Sequence, residues 1–295
     1  IEPPLHGNSA EKITKDFGTD PNKFDLKKFN KFADESKRDI KINYFFAPIT
    51  FYKETWLSVG GYDTLFRRSR EDSDFVQRCL HSGISLEQTF KANVYHFTCV
   101  TSRGKNWFDS NNEEAQKRVK LQNKADQIEL NKFIRKWGSF SHTEPVNRYK
   151  VNLALNSDNL NLLRHVEPFF DKVYTNLDYS SVVKEYRNHQ SLANELFKFT
   201  DKQWKKNKKY YNEAFIDGKF SDKVSLDYDV LVFSDENPDN DFLQICYNIH
   251  ALIDEYEEGE YDYNGHNLII RNKVLNNPPL KVENPKFDME LLEIK

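Results

Sequence analysis

The residues predict an α/β chain in two parts, and three observations carry that expectation. Short apolar runs such as Asp229-Val230-Leu231-Val232-Phe233 alternate with stretches of helical spacing such as residues 242–256, the pattern of strands layered with helices. A polar segment, residues 139–148 with His142 and Pro145, separates regions of different periodicity and reads as a linker. The chain has 295 residues, 38% of them hydrophobic, which is enough for about two domains with cores of their own.

Residues 1–24 read as loop, because Pro3-Pro4 and Asp20-Pro21 disfavour helix. Leu26, Phe29 and Phe32 lie at helical spacing among charges and predict a short amphipathic helix over 25–37. Residues 44–51 read as a buried strand interrupted by Pro48, and 53–59 as a short helix that Gly60 stops. A further helix begins at Ser69. Residues 93–99 have strand composition, ended by the loop Ser102-Arg103-Gly104-Lys105. Glu113-Glu114 then opens a long connector helix carrying Val119, Ile128, Phe133, Ile134 and Trp137, with Gly138 as its stop. Beyond the linker the expected order is strand 149–155, helix 160–169, strand 172–176, strand 229–233, helix 242–256 and strand 267–271. The expected division is therefore 1–110, a connector over 111–145, and a small C-terminal α/β domain over 146–295.

Composition narrows the partners. A net charge of −3 gives no field that would announce a nucleic acid, and no nucleic-acid partner is expected. The basic-aromatic run Lys202-Gln203-Trp204-Lys205-Lys206-Asn207-Lys208-Lys209-Tyr210-Tyr211 reads as a solvated amphipathic helix ahead of a nucleic-acid surface. No run approaches the roughly 20 apolar residues of a membrane span, and no signal-peptide pattern opens the chain, so a cytoplasmic setting is expected. Cys79, Cys99 and Cys246 are widely spaced without a Cys-x-x-Cys pair, which predicts reduced thiols rather than a disulfide framework or a thiolate zinc site. Asp16, Asp20 and Asp25 lack the spacing and closing glutamate of a calcium loop.

The densest chemistry is Gly60-Gly61-Tyr62-Asp63 followed by Arg70-Glu71-Asp72-Ser73-Asp74-Phe75 and Arg78. Three carboxylates fall within four positions behind a glycine pair, where a proton acceptor and a pliable backbone can meet a substrate. Two readings stand. Ser69-Arg70-Glu71-Asp72 fits an acidic capping box, favoured by the helix dipole. Alternatively, at roughly 100° per residue Asp72 falls at the centre of the stripe Phe75, Val76, Cys79 and Leu80, which turns it inward as an ionised acceptor. In that geometry Glu71 lies on the flank and Asp74 points to the surface.

Glu71-Asp72-x-Asp74-Phe75-x-x-Arg78, preceded by Gly60-Gly61-Tyr62-Asp63 and Phe66, resembles the acceptor-side motif of inverting family 2 glycosyltransferases with the GT-A fold. Ile1-Glu2-Pro3-Pro4-Leu5-His6, Phe45-Phe46-Ala47-Pro48, Tyr95-His96-Phe97-Thr98 and Phe133-Ile134-Arg135-Lys136-Trp137-Gly138 are similar to large glycosyltransferases of bacteriophages, other large viruses and environmental relatives. The resemblance implies a partial GT-A-like (nucleotide-diphospho-sugar transferase) region. It implies transfer of a hexose-type sugar from a nucleotide-sugar donor to a glycan or other hydroxyl acceptor, with Mn²⁺ or Mg²⁺ on the diphosphate. Asp72 would be the general base, and Glu71 the alternative base or an acceptor-orienting partner. Gly60, Gly61 and Asp63 would contact substrate, His96 would complete the metal site, and Arg103 and Lys105 would meet the diphosphate.

One departure stands out. GT-A enzymes carry an upstream nucleotide-binding half ending in Asp-x-Asp, and neither Asp72-Ser73-Asp74, Asp227-Tyr228-Asp229 nor Asp239-Asn240-Asp241 stands in that position. The chain is thus expected to be part of a longer transferase and inactive alone. The alternative reading is a non-catalytic carbohydrate-binding or assembly module, in which the motif only caps a helix.

Overall fold

The structure is a computed structural model and describes residues 1, 13–18, 20–39, 41–42, 48–97, 109–141, 144–181, 215–216, 219–220, 228–234 and 238–282. It is a mixed α/β protein of two compact units. Unit 1 comprises Ile1–Tyr62, Glu71–Glu129 and Leu280–Lys295; unit 2 comprises Asp63–Arg70 and Leu130–Pro279. Among the described residues no helix is long and apolar enough to cross a membrane.

In unit 1, helix α1 (Leu26–Glu35) starts where Asp25 accepts the Lys28 amide at 2.9 Å, and it buries Phe29 and Ala33. Phe29 joins an aromatic cluster in which Phe24 stacks on Tyr95 at 5.0 Å and Tyr95 meets Phe97 edge-on at 5.1 Å. A two-stranded antiparallel pair, β1 (Lys41–Ile42) with β2 (Gln88–Thr89), follows the expected loop-and-helix start. Helix α2 (Lys53–Ser58) ends at Gly60 as expected, and helix α3 spans Glu71–His81. Helix α4 (Glu113–Trp137) opens with Asn112 accepting the Ala115 amide at 3.0 Å and closes at Gly138, with φ +75°. The boundary between the units falls within this helix, at residues 129 and 130.

Two expected strands differ from the structure. Residues 93–97 form no strand: the His96 amide donates to the Ile1 carbonyl at 2.8 Å, and Tyr95 and Phe97 pack into the aromatic cluster. Their β-type composition serves packing rather than a ladder. Residues 48–51 are irregular, with Phe51 stacked on Trp56 at 5.5 Å; residues 43–47, and Thr98 and Cys99, lie outside the described residues.

Unit 2 is a five-stranded mixed sheet in the order β4-β3-β7-β9-β8. Strand β3 (Val151–Leu155) pairs in parallel with β4 (Lys172–Thr175) and with β7 (Val230–Ser234). Helix α5 (Leu160–Val166) and a 3-10 turn (Glu167–Phe169) link β3 to β4. A separate short pair joins β5 (Phe215–Ile216) to β6 (Lys219–Phe220). Helix α6 (Asn240–Glu255) follows β7, and the hairpin β8 (Gly259–Tyr263) and β9 (His266–Ile270) completes the sheet, with β9 antiparallel to β7.

Leu153, Leu155, Val230 and Val232 pack with Leu163, Phe242, Ile245 and Ile249, while Ala154, Leu231 and Phe233 form a second cluster. Burial on both faces is why β7 reads as an apolar run and why every residue of β3, the polar Asn152 included, is buried. Cys79 and Cys246 are free and buried, and burial pushes the Cys79 thiol up to about 11.

A buried histidine makes unit 2 acid-sensitive. The Nδ1 of His250 accepts the Tyr149 amide at 3.0 Å, and burial first, then the Arg148 charge, lowers its pKa from 6.5 to about 3. Below pH 6.5 the unfolded chain takes up a proton that the folded unit refuses. Stability is therefore full above that pH and falls by about 1.4 kcal/mol per unit down to about pH 3. His250→Asn, which keeps an acceptor for the Tyr149 amide, is expected to remove this part of the slope in urea titrations at pH 7 and 4.5; an unchanged slope would assign it to other groups.

Candidate functional site

The Gly60-Gly61 pair makes a turn that only glycine allows. Both residues have positive φ, +79° and +74°, and a Cβ on Gly60 would come within 3.0 Å of Val282 backbone, while one on Gly61 would press on the Trp56 ring. Tyr62 follows, packed edge-on against Trp56 at 4.6 Å and Phe75 at 5.6 Å. Arg70 enters α3 with φ +72°, an uncommon conformation for a side-chain-bearing residue and a form of stored backbone strain.

The capping box is not formed. The Ser69 hydroxyl is buried without a hydrogen-bond partner, and Asp72 Oδ1 instead accepts the Ser73 amide at 2.7 Å and the Ser73 hydroxyl at 3.3 Å. Nor does Asp74 face solvent as the stripe geometry predicts. It is fully buried and pairs with Arg78 Nε at 2.9 Å, one turn along the helix. The Arg78 guanidinium, also fully buried, donates to the Gly61 carbonyl at 2.6 Å and to the Val59 carbonyl. The physical reason is that α3 is enclosed on every side: each residue from Ser73 to Cys79 is buried. A helix without a solvent face has no polar side for an aspartate to occupy, so Asp74 is neutralised internally.

Asp72 and Glu71 beside it are half-buried. Burial chiefly, then the charges of Asp72 and Glu129, push the Glu71 carboxyl above its ordinary value, and its own backbone amide draws it partly back. Glu71 Oε2 is buried with no hydrogen-bond partner. Burial, Asp72 and Glu71 likewise push the Tyr62 phenol up, which holds it protonated as a donor. Unit 1 therefore brings together Tyr62, Glu71, Asp72 and Glu129, of which Glu129 escaped sequence reasoning because it sits 57 positions beyond Asp72 on α4.

The remaining expected residues are placed differently. Asp63 belongs to unit 2, where Oδ2 pairs with Lys136 at 2.8 Å and Oδ1 accepts the Leu65 amide at 2.9 Å. Arg103 and Lys105 lie outside the described residues, as do Asp227 and residues 202–211. His96 is exposed, and among the described residues no group of three His, Cys, Asp or Glu side chains could hold a metal ion.

No protein-family model, no curated protein and no solved structure matches the chain.

Proposed function

We propose that the chain is the acceptor-side part of an inverting, nucleotide-sugar-dependent glycosyltransferase whose proton acceptor lies in the Glu71-Asp72 pair. The ordered motifs of the sequence support the reaction class. One observation supports the site: Glu71 Oε2 is a buried carboxylate oxygen without a partner, beside a second carboxylate. Two carboxylates in different environments divide labour. Asp72 Oδ1 is engaged by Ser73 and orients, whereas Glu71 has an open oxygen and a raised proton affinity. In this reading an acceptor hydroxyl donates to Glu71 Oε2, and its proton passes to the carboxylate as the oxygen bonds to the anomeric carbon and the nucleoside diphosphate departs.

The test is sugar transfer or donor hydrolysis by the full-length protein. Glu71→Gln is expected to lower turnover by about 10²- to 10⁴-fold, and Asp72→Asn by less; undiminished turnover in Glu71→Gln would remove it from the role of base. A stability readout runs the other way. A carboxyl whose folded pKa is raised destabilises the folded state above that pKa and ceases to do so below the unfolded value. Glu71→Gln should therefore raise the urea midpoint slightly at neutral pH, with less effect at pH 4. A binding or assembly module is favoured instead by the internal use of Asp63, Asp74 and Arg78. Glycan binding without turnover, indifferent to Glu71→Gln, would select it.

A further inference from the structure

We propose that unit 2 carries a second, acyl-transfer site built on Ser234, His266 and Asp239. The proposal does not depend on the glycosyltransferase reading. Ser234 closes β7, His266 opens β9, and the antiparallel register sets them directly opposite each other. Their side chains meet at 2.9 Å between Ser234 Oγ and His266 Nδ1, and His266 Nε2 lies 3.1 Å from Asp239 Oδ1.

The direction of these bonds follows from the carboxylate. Asp239 Oδ1 caps α6 by accepting the amides of Asp241 at 2.9 Å and Phe242 at 3.1 Å, so it can only accept from Nε2. That fixes the proton of neutral His266 on Nε2 and leaves Nδ1 as the acceptor of the Ser234 hydroxyl proton. Nucleophile, base and orienting carboxylate are thus in line, the arrangement that activates serine.

Position in the sheet supports the assignment independently. Ser234 ends the central strand at the carboxyl edge, where the neighbouring parallel strands β3 and β7 send the chain to opposite edges of the sheet. Open α/β sheets place ligands at such points. Asn264 Nδ2 donates to Asp241 at 2.6 Å, tying the hairpin turn to the same end of α6 that carries Asp239.

The substrate class is a small acyl ester, since Ser234 and His266 are buried and Asp239 is the solvent end of the chain of bonds. The Ser234 hydroxyl proton passes to His266 Nδ1 as Oγ bonds to the acyl carbon. The ester C–O bond breaks and the departing alcohol takes the proton from Nδ1. Water then gives a proton to Nδ1, attacks the acyl-serine and releases the acid, restoring the hydroxyl.

The experiment treats the full chain with p-nitrophenyl acetate and, separately, with diisopropyl fluorophosphate, and locates adducts by peptide mass spectrometry. The expected result is one adduct, on Ser234, absent in Ser234→Ala. His266→Gln, which keeps the bond to Asp239 but loses the base, should slow labelling by about 10²-fold or more. Circular dichroism confirms that each variant is folded. No adduct on Ser234 in the folded wild-type chain, or labelling at an undiminished rate in His266→Gln, overturns the proposal.

Discussion

Asp74→Ala is expected to destabilise unit 1 by about 3–5 kcal/mol, the largest effect of any single change in the glycine-acid motif. The substitution leaves the Arg78 guanidinium fully buried with its charge uncompensated, hydrogen-bonded to the carbonyls of Val59 and Gly61. The same ion pair should be nearly dispensable as a pair. Asp74→Leu with Arg78→Met removes both charges and fills the space, and is expected to recover most of the loss. Urea denaturation and amide exchange across α3 read both outcomes. Single variants costing less than about 1 kcal/mol, or a double variant no better than either single, would show that the pair is not a desolvated charge held by its partner.

Gly138→Ala should destabilise unit 2 by about 2–5 kcal/mol, from two sources that can be separated. The backbone at φ +75° disfavours any Cβ, and a Cβ here would also lie within 3.0 Å of the His250 ring. Gly83 supplies the control: its φ is also +75°, but nothing lies within 4 Å of a Cβ built there. Gly83→Ala should therefore cost only the backbone share, about 1 kcal/mol. Thermal melts of the two variants would refute the packing argument if they shifted equally. His250 cannot step aside easily, because its Nδ1 holds the Tyr149 amide at the entrance to β3.

The strand and helix alternation of unit 2 was legible because its elements carry strong, complete periodicity. The hairpin strand β8 was not read, although Asn264-Gly265, with φ +54° and +90°, is the turn pair that such hairpins require. Glu260 and Asp262 in an exposed strand masked the pattern. The exchange of roles between Asp72 and Asp74 has a different cause. Helical periodicity assumes one solvent face, and α3 has none over Ser73–Cys79; the carbonyls that complete Arg78 lie 17 and 19 residues away. The visible clue was Asp74 and Arg78 at i, i+4. Glu129 and the Ser234–His266 pair depend on tertiary placement and strand register, which no local window contains.

That register makes the hairpin turn a ruler for unit 2. Five consecutive pairs, from Val230↔Ile270 to Ser234↔His266, are counted off from two residues at the turn. Because side chains alternate faces, a single inserted residue between Tyr263 and His266 that shifted β9 by one step would set the imidazole opposite Phe233, on the other side of the sheet, and bring the residue that precedes it against Ser234. Length in this turn is thus under tighter constraint than its exposed, polar sequence suggests.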